Sequence, residues 1–288
     1  DNDTNPTQAQ YAAIGVTGVD TAAETSLLGD VVDKQNTGDV DTVAEIQALA
    51  NAVQNVIDGA AGNANEPTLA DLQALGISGV TVDNLAALQA AIAATPDDGS
   101  AVSILAALQN LVNNAASAAA AAITTIQNAA EDDNATLAAP FSPSLDDYAA
   151  TGASGFSAGN IAAINDALNS TTVNGVSVDT SAAISNLVDS YNAILNAADG
   201  NDDNDTNPTQ AQYAAIGVTG VDTVAETSLL GDVVDKQNTG DVDTVAEIQA
   251  LANAVQNVMD GAAGSADEPS LADLQALGIS DVTADNLA

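Results

Sequence analysis

The 288-residue chain has no cysteine, no histidine and no tryptophan, and its whole basic inventory is Lys34 and Lys236. Each absence removes a kind of chemistry. Without imidazole or an abundant amine, a Ser or Thr hydroxyl has no base to activate it. Without imidazole and thiolate a transition-metal site lacks its ligands, and without arginine a phosphate meets no guanidinium fork. Against the two lysines stand 40 acidic residues, a formal net charge of −38. Such a field repels nucleic acid and anionic lipid. It keeps a chain dissolved but strains the compact state unless salt or bound cations screen it. Asp132-Asp133 and Asp146-Asp147 supply paired carboxylates, yet sequence neighbours on a linker or helix rarely face one substrate. With two Phe and four Tyr, aromatic sugar platforms are missing too. The expectation is a protein that is not an enzyme and has no nucleic-acid partner.

A long uncharged run is present. Ser100 to Ala130 carries no charge, but its amides, among them Gln109, Asn113 and Gln127, and its lack of basic flanks argue against a membrane span. A helix outside the bilayer is predicted there.

What the chain does have is repetition. Residues 203–288 repeat residues 1–86 at an offset of 202. The differences are Ala22/Val224, Ile57/Met259, Asn63/Ser265, Asn65/Asp267, Thr68/Ser270, Gly79/Asp281 and Val82/Ala284. Near-identical long repeats supply length, each adding one more stretch of the same shape. The second copy stops within a segment expected to be helical in the first, so the parent chain is expected to be longer. Within the period, a Pro-Ser/Thr start recurs at Pro6-Thr7, Pro67-Thr68 and Pro143-Ser144, then at Pro208 and Pro269. This divides the chain into module A (1–66), module B with an extended third helix (67–142), module C (143–202), a second copy A′ (203–268) and the start of a second copy B′ (269–288).

Each start has the form of a helix N-terminus. Thr7, Thr68 or Ser144 stands as N-cap, with Gln10, Asp71 or Asp147 three residues on as its reciprocal partner. A glycine stop follows at Gly15, Gly76 and Gly152, each with an apolar residue after it that can fold back onto the helix. Second helices are predicted over 21–32, 83–93 and 160–168, the first opened by Thr21 and Glu24. Third helices carry one apolar face: Ile46, Leu49, Val53 and Val56; Ile184, Leu187, Tyr191 and Ile194; and Leu105, Leu108, Val112, Ala115, Ala119, Ala122 and Ile126. The third helix of module B is expected to be 11 residues longer than its neighbour, about 16 Å at the α-helical rise. The fold class predicted is therefore all-α, a tandem array of small three-helix bundles forming an elongated rod or fibre. Cores this small are marginal, so contacts between modules and ions at the junctions are expected to add stability.

The junction between periods reads Asp199-Gly200-Asn201-Asp202-Asp203-Asn204-Asp205. Alternating short oxygen-bearing side chains suit calcium, which takes six to eight oxygen ligands. Asp199, Asn201, Asp203 and Asp205 are the candidate ligands. The loop lacks the glycine at position six and the glutamate at position twelve of an EF-hand, and a solvated polar linker accounts for the same residues. Weaker versions lie at Asp58 to Glu66 and at Glu131 to Asn134.

The run from Pro67-Thr68-Leu69-Ala70-Asp71-Leu72 through Leu75-Gly76-Ile77-Ser78-Gly79-Val80 to Asp83-Asn84-Leu85, with the Ala198 to Asp202 spacer, resembles the alanine-rich, GA-like three-helix repeats of giant bacterial surface proteins of adhesin and RTX type. The resemblance covers essentially the whole chain. It implies export to the cell surface, a role as stalk or spacer that carries an adhesive domain elsewhere, and in some relatives a tie to calcium. Uneven module lengths and the scarcity of lysine depart from that pattern. Partners expected are adjacent repeats of the same chain, or identical chains if Ala115, Ala119 and Ala122 form a seam in a self-assembling filament or sheath. Host-ligand binding through Tyr11, Tyr148, Tyr191 or Tyr213 is a further alternative, set against core packing of the same rings.

Overall fold

The computed structural model describes residues 5–131, 142–201, 206–264 and 268–283. The chain is all-α, with thirteen α-helices and no strand among the described residues. It forms two compact units, Asp1–Ala122 with Ala149–Gly152, and Ile123–Tyr148 with Ala153–Ala288.

In the first unit α1 (Gln8–Ala13), α2 (Ala22–Lys34) and α3 (Val43–Ala60) are followed by α4 (Leu69–Ala74), α5 (Leu85–Ala93) and the N-terminal part of α6 (Leu105–Ala130). A 3₁₀ turn precedes each long helix, at Thr37–Asp39 and Ser100–Val102. The second unit holds the end of α6, most of α7 (Leu145–Ala150), α8 (Ile161–Leu168) and α9 (Ser181–Ala197). It continues with α10 (Gln210–Ala215), α11 (Val224–Val234), α12 (Val245–Ala262) and α13 (Leu271–Ala276), and has 3₁₀ turns at Gly175–Val178 and Thr239–Asp241.

The ends of these helices follow from their caps. Thr7, Thr21, Thr42 and Thr68 each accept from the backbone N–H three residues on, while Gln10, Glu24, Glu45 or Asp71 reaches back to the cap's own N–H. Ser144 and Asp147 make the same pair at 2.8 and 3.2 Å. Two otherwise orphaned donors are satisfied each time, which is why a six-residue helix can begin where it does. The helix stops at a left-handed glycine: Gly15 has φ +91° and Gly76 φ +79°. There the N–H of Val16 bonds Tyr11 O and that of Ile77 bonds Leu72 O, both at 3.0 Å, closing a Schellman turn that returns an apolar side chain to the core. Val16 and Ile77 are buried.

The predicted apolar faces are the buried ones. Ile184, Leu187, Tyr191 and Ile194 are all in the core, as are Leu49, Val53 and Val56, with Ile46 half-buried. On α6, Leu108, Val112, Ala119, Ala122 and Ile126 are buried, and Leu105 and Ala115 are partly so. This helix has 26 residues against 17 in α9, nine more where 11 are expected, or about 14 Å of extra length.

Neither core stops at the boundaries expected from the sequence between modules A and B and between modules C and A′. One apolar cluster runs from Tyr11 through Leu72 and Ile92 to Val112. In the second unit another joins Ile164 and Tyr191 to Tyr213, Leu230 and Val255. A module of roughly 60 residues buries too little surface to stand alone comfortably, and sharing a core with its neighbour removes that limit.

Candidate functional site

The candidate site is the joint between successive modules, because there the acidic side chains acquire specific work. Asp30 near the end of α2 accepts from the N–H of Leu105, the first residue of α6, at 3.1 Å. In the second unit Asp166 on α8 accepts from the N–H of Val245, the first residue of α12, at 2.6 Å. In both places a carboxylate from a module's second helix caps the third helix of the next one. A negative charge at a helix N-terminus meets free N–H groups and the positive end of the helix dipole. The packing agrees: α3 lies against α4 and α5, and α9 lies against α10 and α11. The same rule therefore governs both joints, although module A precedes B and module C precedes A′.

Further polar contacts tie these joints, and others tie the end of α6 to the 3₁₀ turn at Gly175–Val178. Glu131 at the end of α6 accepts from Gly175 N–H at 2.7 Å, and Gln127 donates to Gly175 O at 3.2 Å. Asn55 of α3 donates to Asp71 of α4 at 3.0 Å. Thr172 donates to Gly217 O at 2.9 Å, and the buried hydroxyl of Tyr191 to Val242 O at 3.3 Å.

Of the candidate calcium ligands, Asp199 and Asn201 lie within the described residues, and Asp203 and Asp205 lie outside them. The N–H and the side-chain amide of Asn201 both donate to the Asp199 carboxylate, one to each oxygen. This is an Asx turn, a local arrangement for loops of Asp and Asn. An isolated antiparallel bridge joins Asp199 to Asn238. Gly200, at φ +80°, lies where a Cβ would press on the Asn238 side chain, so the glycine is needed twice over. The weaker acidic loop behaves alike, with Asn63 and Asn65 both donating to Asp58. Of the third acidic stretch, Asp132 to Asn134 lie outside the described residues. Among the described residues no group of three or more acidic side chains is arranged to hold a metal ion.

Electrostatics at these sites follows the caps. Hydrogen bonds from the Thr42 side chain and backbone hold Glu45 below its ordinary value. At Asp71 and Glu226 burial works the other way, but hydrogen bonds from the hydroxyl and backbone of Thr68 and Thr223 outweigh it, and both carboxyls are held down. The four tyrosines are buried, and burial pushes all four hydroxyls up. None is offered as a contact residue.

Two features were not read from the sequence. One is the Asp30 and Asp166 caps, which join residues 75 and 79 positions apart and have no local signal. The other is a latch. Gln47 of α3 accepts from Thr17 N–H at 2.8 Å and donates to Thr17 O at 3.0 Å, pairing with that loop residue as a strand would. Gln109 does the same with Ser78, and Gln249 with Thr219. A glutamine five residues after each third-helix cap in modules A and A′ was the available clue, since a polar amide beside the apolar face invites a partner.

Among the described residues no helix is long and apolar enough to cross a membrane. Comparison with protein-family models, curated proteins and solved structures found no match to this chain.

Proposed function

We propose that this chain is a repeat segment of a bacterial extracellular surface protein, a stalk or spacer that projects an adhesive domain at the cell surface. The observation that carries the reading is the repeated joint, in which a third helix packs on the next module's first two helices while a carboxylate caps the next third helix. A joint that works between different module pairs lets copies be added without redesign, and added copies mean reach. The stalk reading needs no catalytic group. Adjacent repeats are then the main partners. Calcium at the acidic junctions, with Asp199 as one ligand, would neutralise neighbouring carboxylates and stiffen the linker.

Small-angle scattering on this chain and on a version lengthened by one 202-residue period is the test. A maximum dimension that grows in proportion to the added period is expected; an unchanged, rounded particle overturns the reading. Neither alternative draws support from the side chains. Ala119 and Ala122 are covered within the chain, and the tyrosines are core residues.

A further inference from the structure

Modules A and A′ have almost the same sequence in two surroundings, and the difference in burial maps what a neighbour covers. Ile14 is 48% exposed whereas its counterpart Ile216 is fully buried, and Val43 is 45% exposed against 8% for Val245. Val32, Val40 and Ile46 are half-buried, while Val234, Val242 and Ile248 are fully buried. Leu28 and Leu230 are buried in both copies, as are Val53 and Val255, whereas Leu27, Val56 and Ile57 are buried in A and their counterparts Leu229, Val258 and Met259 only partly so in A′. Ile14, Val32, Val40, Val43 and Ile46 are the large apolar residues whose counterparts are more buried in A′, and they form one face, closed in A′ and open in A.

What closes it in A′ is module C. Helix α9 packs on α10 and α11, and α8 packs on α12. Asp166 caps Val245, Thr172 donates to Gly217 O, and Tyr191 donates to Val242 O. The glycines report the same closure. A Cβ on Gly217 would run into Ser170, whereas one on Gly15 would meet nothing within 4 Å. Module A thus keeps the side chains and the glycine of an interface that no described residue of this chain closes.

We propose that the face formed by Ile14, Val32, Val40, Val43 and Ile46 is a docking surface, and that its occupant is another copy of the 143–202 segment placed ahead of Asp1. The occupant is committed by the pairing just described and by the junction, since Asp203-Asn204-Asp205 repeats Asp1-Asn2-Asp3. It belongs in the same chain, because in a second molecule the matching surface of 143–202 is already covered by its own 206–264. The inference rests on reading the chain as part of a stacked array and specifies how one period seats on the next.

The chain contains no cysteine, so Ile14→Cys and Ile216→Cys each create a single thiol whose labelling rate reads burial. In the present chain Cys at 14 should react quickly and Cys at 216 slowly. Fusing residues 143–202 ahead of Asp1 should slow labelling at 14 by roughly a hundredfold, to the rate at 216. Adding Val43→Asp to the fusion should restore fast labelling, while the same change in the unfused chain leaves the rate and the helical circular dichroism unaltered. Equal labelling at 14 with and without the fusion overturns the proposal. So does protection at 14 in the unfused chain that rises with concentration, because the occupant would then come from another molecule. Labelling that slows while scattering shows no lengthening keeps the interface and discards the stalk; unchanged labelling with lengthening does the reverse.

Discussion

Glycine substitutions separate conformational need from spatial need. Gly18 and Gly220 are left-handed and also lie beneath the Gln54 and Gln256 side chains, but Gly79 is left-handed with nothing within 4 Å. At the position equivalent to Gly79 the second copy has Asp281, at φ +64°. Aspartate is among the few residues that tolerate this conformation, so the exchange falls where only backbone angle is at stake. On the same logic Gly15→Ala should cost about 1–2 kcal/mol for the left-handed conformation alone, and Gly217→Ala a further 1–3 kcal/mol or so for the overlap with Ser170. Urea unfolding of the two variants checks the order. The caps give a second prediction. Thr68→Ala should cost about 1 kcal/mol near neutral pH. Asp71 is held below its ordinary value of 3.8, so its contribution is whole above that pH and is lost as pH falls through the lower folded value. The gap in melting temperature between native and Thr68→Ala chains should narrow below pH 3.8; a gap that stays constant into acid would show that Asp71 is not the partner that matters.

The helices draw their length from caps and their place from side-chain latches. In modules A, B and A′ a glutamine of the third helix pairs with the loop between the first two, whereas Ser185 stands at the corresponding place in module C. There Asn192 instead donates to Gly155 O at 2.8 Å. Gln47→Leu keeps size and helix propensity but leaves the Thr17 N–H and C=O to water; a loss of about 1 kcal/mol is expected, with faster hydrogen exchange confined to the loop around Thr17. Exchange that quickens evenly over α1 to α3 would mean the latch supports the whole module instead. On α6 the alanines allow close approach, and Ala119→Leu should be destabilising through overpacking, by about 1–3 kcal/mol.

Charge and repetition act over the full chain. Lys34 pairs with Asp33 at 3.5 Å, but two lysines against 40 acidic residues leave repulsion almost uncompensated by salt bridges. Many carboxylates instead accept from N–H and O–H donors at caps and turns, as Glu24, Glu45, Asp71 and Asp147 do. Repulsion between exposed charges is screened by ions, so the melting temperature should rise between low salt and about 0.5 M sodium chloride. If calcium occupies the junctions, a millimolar calcium concentration should raise it well beyond an equal ionic strength of sodium, and chelator should reverse the gain. Identical melting in both salts would assign the junctions to polar linkers of the kind Asn201 and Asp199 already form.

Much of the architecture was readable from residue order, because caps, glycine stops and apolar spacing act over only a few positions. Thr7 with Gln10, Gly15 with Val16, and the seam on α9 specify helices locally, wherever the rest of the chain goes. The joints could not be read in this way. The aspartate that caps α6 lies 75 residues before it, and nothing local distinguishes Asp30 from the other acidic side chains. Nor does sequence tell Ile14 from Ile216, which are the same residue in the same motif with opposite exposure. Helix formation is set by neighbours along the chain, but burial depends on which surface arrives from elsewhere, and that is decided when the modules pack.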